Sequence, residues 1–81
     1  MILDDSVIEP SIRSEVAKYY DGKFSDSDDF SKDLHINSDD LSAIALSLEN
    51  KLGLKIDSKD YRSINNVESY ASVLRKRLSV G

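Results

Sequence analysis

Cysteine is absent from this 81-residue chain, which excludes a disulfide framework, a thiolate metal site and a cysteine nucleophile. The fold therefore rests on apolar packing alone, and a chain this short buries only a little over half of the surface it exposes when unfolded. Proline occurs once, at Pro10, and glycine only at Gly22, Gly53 and Gly81. So few breakers favour helices over a turn-rich all-β architecture. The one histidine, His35, stands in a stretch that reads as loop; without an acid or base beside it, it forms no catalytic constellation. No apolar run approaches the roughly 20 residues needed to span a bilayer. The leading residues Met1 to Asp5 carry neither a basic region nor a long apolar stretch, so no signal peptide is expected and the chain reads as cytoplasmic.

What is present is acid, unevenly placed. The net charge is −4; residues 1–37 hold nine acids against four bases, and residues 38–81 hold six against seven. Phosphate binding needs a basic face, so nucleic acid is not the expected partner. The densest tract, Ser25-Asp26-Ser27-Asp28-Asp29, invites a test for calcium. An EF-hand loop beginning at Asp26 requires glycine at its sixth position and glutamate at its twelfth. Those positions hold Ser31 and Asn37, so the tract reads as a solvated acidic loop.

Hydrophobic spacing predicts three main helices and a short one, in a single domain over residues 1–81. The first begins at Ser6, through a capping box with Glu9, or at Pro10, and runs to residue 20 with Ile8, Ile12, Val16 and Tyr19 on one face. Gly22 then supplies a stop. Residues 21–37 read as a long loop anchored by Phe24, Phe30, Leu34 and Ile36. The second helix opens on Ser38 as N-cap, with Asp39 and Asp40 in the first turn, where the dipole favours anions. Leu41, Ile44, Ala45, Leu48 and Leu52 form a stripe roughly 100° wide, Leu46 lies about 140° from Leu41, and Gly53 ends the helix. Ser58 caps a short turn through Tyr61. Asn65 with Glu68, or Asn66 alone, starts the last helix, whose buried stripe is Val67, Tyr70, Ala71, Leu74 and Leu78.

The segment Asp33-Leu34-His35-Ile36-Asn37-Ser38, followed by an amphipathic helix ending Leu48-Glu49-Asn50-Lys51-Leu52-Gly53-Leu54-Lys55-Ile56, resembles the acyl carrier protein family. That pattern runs roughly Asp-Leu-Gly-x-Asp-Ser-Leu into a helix ending Leu-Glu-x-x-(apolar)-Gly-(apolar)-x-Ile. Ser38 leads Leu48 by ten residues and Gly53 by fifteen, as the family's modified serine does, without a gap. Ile64-Asn65-Asn66-Val67-Glu68 resembles the family's Ile-Thr-Thr-Val segment, so the resemblance extends over residues 6–78. Two departures stand out: Asn37 replaces an aspartate, and Asp39 replaces the exposed leucine that helps the modifying transferase dock. Ala43 also stands where the family often has glutamate. These point to a specialised carrier with its own partners.

The resemblance implies an all-α, acyl-carrier-like four-helix bundle that is not an enzyme and acts as a monomer. It implies a covalent 4'-phosphopantetheine on Ser38, whose terminal thiol holds an acyl group as a thioester for fatty-acid, lipid or polyketide-type synthesis. The partners implied are a phosphopantetheinyl transferase and enzymes that load and remove the acyl group. They are expected on the outer face of the second helix, around Asp39, Asp40, Leu46 and Glu49. A small acyl cleft is expected near Leu41, Ile44, Ala45, Leu48, Ile64, Val67 and Ala71. Two alternatives share the pattern: an aminoacyl or peptidyl carrier, and an unmodified helical interaction module, the latter favoured by Asp39.

Overall fold

Apolar residues at helical spacing, interrupted by few breakers, wind into three α-helices. A computed structural model describes residues 5–80 as α1 (Ile8–Val16), α2 (Ser38–Leu52) and α3 (Val67–Val80), with 3-10 turns at Asp5–Val7 and Asp60–Ser63. No strand occurs among the described residues. The architecture is thus a small all-α bundle of three helices. The expected fourth helix is a single 3-10 turn, begun after Lys59 rather than capped by Ser58, with the Ser63 hydroxyl donating to the Asp60 carbonyl at 2.8 Å. The start of the chain, Met1 to Asp4, lies outside the described residues.

α1 is shorter than its hydrophobic pattern suggests. Its N-cap residue, Val7, offers no side-chain hydrogen bond; the Ser6–Glu9 capping box is not what starts it, and Pro10 lies in its first turn, where a missing N–H costs nothing. After Val16 the backbone tightens: the Ala17 amide bonds Arg13, but Lys18 and Tyr19 bond Glu15 and Val16, three residues back. That switch to 3-10 winding carries Tyr19 off the apolar face, and it is 40% exposed rather than buried. Tyr20 takes its place, packing edge-on against Phe24 with ring centroids 6.0 Å apart.

α2 starts one residue earlier than a Ser38 cap would place it. Asn37 is the N-cap: its backbone is extended, and its side-chain oxygen accepts the Asp40 amide at 2.8 Å. Ser38 is the first helical residue. At the far end Gly53 adopts the left-handed conformation at φ 69°, donating its amide to the Glu49 carbonyl, a backbone state that suits a residue without Cβ. α3 is capped by Asn66, whose side chain accepts the Ser69 amide at 2.7 Å while the Ser69 hydroxyl accepts the Asn66 amide at 3.0 Å. This reciprocal pair, rather than Asn65 with Glu68, satisfies the first turn.

The core gathers Ile8, Ile12 and Val16 of α1, Ile44 and Leu48 of α2, and Val67, Ala71 and Leu74 of α3. α1 is the central packing partner, lying against both α2 and α3. Its buried Glu15, 3% exposed, ties it to α2: Lys18 lies 3.1 Å and Lys51 of α2 3.7 Å from its carboxylate. Burial opposes its charge, but the Ser47 hydroxyl and the two ammonium groups hold its pKa below the ordinary glutamate range.

The loop 21–37 is fastened at both levels. Phe30, Leu34 and Ile36 are buried, and the Phe30 amide donates to the Asn65 carbonyl at 2.8 Å. Arg13 makes a two-pronged bond to Asp26 at 2.8 and 2.5 Å. The acidic tract is not merely solvated. Asp28 accepts the Ser25 amide, and Asp29 accepts those of Ser31 and Lys32; its carboxylates shape the turn that delivers the chain to Ser38.

Candidate functional site

At about 100° per residue, six α2 positions follow one another around one flank: Leu41, Ala45, Ser38, Glu49, Ser42 and Leu46, over an arc of about 140°. All six line a groove of about 410 Å³. The opposite side is formed by Phe30 from the loop, Tyr61 from the 3-10 turn, Ile64 beyond it and Tyr70 of α3. The groove is thus a gap between α2 and the segment that leads into α3. Its walls are chiefly apolar, and exposed Ser38 stands at its mouth.

The residues expected around an acyl cleft divide. Leu41, Ala45 and Ile64 line the groove. Ile44, Leu48, Val67 and Ala71 do not: all are at most 1% exposed and lie in the core. The helical phase explains this correction. Leu48 and then Ile44 lie beyond Leu41 in the direction away from Ala45, on the side of α2 turned toward α1. The groove opens on the neighbouring flank. Four lining residues belong to none of the sites expected from the sequence. Ser42 and Tyr61 belong to no clear stripe, whereas Phe30 and Tyr70 read as core residues by their apolar bodies alone.

The residues expected to dock partners also divide. Leu46 is 60% exposed, off the core stripe as its phase requires, and it forms the outer wall of the groove with Glu49. Asp39 falls next to Leu46 around the helix and is exposed. Asp40 falls on the far flank, past Ile44, with its amide held by Asn37. A partner contacting Leu46 thus meets Asp39 and Glu49, but not Asp40.

Across the groove the Tyr61 hydroxyl donates to Glu49 at 3.1 Å, joining the 3-10 turn to α2. Burial, reinforced by this carboxylate, raises the Tyr61 pKa above the usual tyrosine value. Tyr70 is 3% exposed. Its hydroxyl is sealed from solvent and faces the Tyr61 hydroxyl, with which it makes a bond of poor geometry. Burial first, then the neighbouring Tyr61 and Glu49, raise its pKa, so it stays a neutral phenol.

The turn into α2 carries one further feature. His35 has φ 56°, making it the only described residue other than glycine with positive φ. Among the described residues no group of three histidine, aspartate or glutamate side chains is placed to hold a metal ion. Nor is any helix long and apolar enough to cross a membrane. No protein-family profile, curated protein or solved structure matches this chain.

Proposed function

We propose that this chain is a specialised acyl carrier, modified by a 4'-phosphopantetheine arm on Ser38 and serving synthetic enzymes in the cytoplasm. The observation that carries the reading is the position of Ser38: exposed, first in the longest helix, and at the mouth of an apolar groove. An exposed hydroxyl there is within reach of a transferase. The phosphodiester formed on it is an anion at the positive end of a helix dipole, a placement worth about 0.3–1 kcal/mol. Asp39 and Asp40 oppose it with like charge. The arm's thiol holds the acyl group as a thioester, and the groove offers the chain a place out of water.

The backbone at His35 supports the same reading. In the family pattern this position is glycine, and a left-handed φ of 56° is what glycine adopts freely. The turn before Ser38 thus has a shape that would suit the family's glycine, although histidine stands there. The feature favouring an unmodified interaction module is Asp39, a charge where a transferase meets leucine in the family. Intact mass separates the two. Protein co-expressed with a phosphopantetheinyl transferase should gain one arm, and Ser38→Ala should gain none. An arm on Ser38→Ala refutes the assignment, and an unmodified wild type across transferases, native host included, favours the module. The thioester found in the native host distinguishes an acyl from an aminoacyl cargo.

A further inference from the structure

The stretch between α2 and α3, residues 53–66, is pinned at both ends and held more lightly in its middle. At the front Ile56 is buried, and the Arg77 guanidinium donates to the Lys55 carbonyl at 2.8 Å. At the back the Asn65 carbonyl accepts the Phe30 amide at 2.8 Å, and the Asn66 side chain caps α3. The 3-10 turn Asp60–Ser63 lies between these anchors and contains no buried residue. Tyr61 and Ile64 lean on the core half-buried. The hydrogen bond that ties this turn to α2 is that of Tyr61 to Glu49. Behind Tyr61 the Tyr70 hydroxyl offers only a poorly aligned bond, so the tie depends on Glu49. Glu49 in turn faces two ways: it accepts Tyr61 across the groove, and it forms the outer wall with exposed Leu46, one turn earlier on α2.

We propose that the 3-10 turn is a flap on the groove, latched by Tyr61–Glu49, and that a guanidinium of a partner docking beside Leu46 releases it by taking Glu49 away. The inference rests on the docking face proposed above, and adds to it the chemistry of the partner and the consequence of its contact. A guanidinium binds a carboxylate through both oxygens, and such a charge-assisted bond is roughly twice as strong as one between neutral groups. Taking both oxygens turns the carboxylate outward, away from Tyr61. An ammonium is a point charge that occupies one oxygen and leaves the other for Tyr61, so arginine rather than lysine is the residue expected on the partner. With the latch open, Tyr61 and Ile64, which stand opposite α2, are free to withdraw and the groove widens on their side. When the partner leaves, Glu49 returns to Tyr61. Docking and groove width are then coupled through one carboxylate, because the flap has two arrangements and the contact favours one of them.

The test needs no partner in hand. Leu46→Arg builds a stand-in for one, since residues three apart on a helix are neighbours and the exposed Leu46 gives up no core contact. Hydrogen exchange followed by NMR reads the flap through the amides of Asp60 and Ile64, which bond the Asp57 and Tyr61 carbonyls. Amides in the middle of α1 and α2 report the fold as a whole. Tyr61→Phe removes the latch and should speed exchange at both flap amides by about 3- to 10-fold, the net value of one hydrogen bond, with the helix amides unchanged. Leu46→Arg should speed the same two amides, and the uncharged Leu46→Gln should not. Glu49→Gln keeps an oxygen for Tyr61 but loses the charge, so Leu46→Arg should have no effect in that background, nor should it add to Tyr61→Phe. Wild-type exchange of the flap in Tyr61→Phe overturns the latch. Wild-type exchange in Leu46→Arg, or an increase that persists with Glu49→Gln, overturns release by a guanidinium. Either failure leaves the carrier reading to be judged separately, by intact mass at Ser38.

Discussion

Replacing Tyr70 with phenylalanine should make the unliganded protein more stable. The hydroxyl is sealed from solvent and makes only a poorly aligned bond to Tyr61, and leaving such a group under-satisfied costs about 1–3 kcal/mol. Removing it leaves a void the size of one oxygen, on the order of 10–15 Å³. At about 24 cal/mol per Å³ that void costs ~0.3 kcal/mol. The ring keeps its contacts in the core, so the balance favours the variant by about 1 kcal/mol or more. In a domain of this size a change of about 1 kcal/mol moves the thermal midpoint by roughly 4–8 °C. Thermal and urea unfolding followed by circular dichroism measure it, with the urea slope unchanged if only stability has moved. A fall in midpoint refutes the reasoning: the bond between the Tyr70 and Tyr61 hydroxyls is then a full one in solution. A gain would mark Tyr70 as a residue kept against stability, as binding sites commonly are.

Other substitutions probe the surrounding elements. His35→Gly should match or slightly exceed wild-type stability, because relief of a left-handed histidine offsets the entropy of the added glycine, whereas His35→Val should lose about 1 kcal/mol in the same unfolding assay. Asp26→Asn should lower the midpoint at neutral pH and flatten its acid limb. Arg13 holds the Asp26 pKa down, so this contribution is full above the unfolded value near pH 4 and is lost as pH falls through the lower folded value; variant and wild type should converge in strong acid. Leu46→Glu should keep the fold and the midpoint within about 0.5 kcal/mol while slowing loading or transfer by partner enzymes, as read by intact mass over time. Unfolding of that variant, or wild-type rates with every partner, refutes Leu46 as a docking contact.

Much of the fold is legible in the spacing of apolar residues. Ile8, Ile12, Val16, Ile44, Leu48, Val67, Ala71 and Leu74 are buried where helical phase puts them, and Leu46 is outside for the same reason. Gly53 closes α2 because a left-handed residue after a helix selects glycine. The boundaries are harder. Asn37 and Ser38 are adjacent residues of nearly equal capping preference, so only the extended backbone at Asn37 decides between them. A core position for Tyr19 assumes α-winding throughout, and two 3-10 bonds after Val16 remove that assumption. The groove is half legible. One wall follows from α2 alone, but the other depends on where the 3-10 turn sets Tyr61 and on which end of Tyr70 faces the gap. Hydrophobic periodicity treats Tyr70 as a core ring and carries no information about its hydroxyl.

Charge shows most clearly how composition and structure part. An excess of acid in residues 1–37 suggests a broad negative surface for basic partners. In the fold much of that acid is already engaged: Glu9 with Arg13 and Arg75, Glu15 with Lys18 and Lys51, Asp26 with Arg13, and Asp28, Asp29 and Asp33 with backbone amides of the loop. These pairs hold the loop and α1 in place, and with them the approach to Ser38. Beside the groove the outward acids are few, Asp39 near its mouth and Glu49 on its wall, with Leu46 between them. Charges at the rim of a contact act mainly on the rate of encounter, and two charges steer less than a broad acidic surface. The docking proposed on this face would therefore lean on the shape around Leu46, with salt altering it modestly. On the proposed carrier reading, release of each partner after transfer would be served by such a small apolar contact with a light electrostatic rim, which α2 presents next to Ser38.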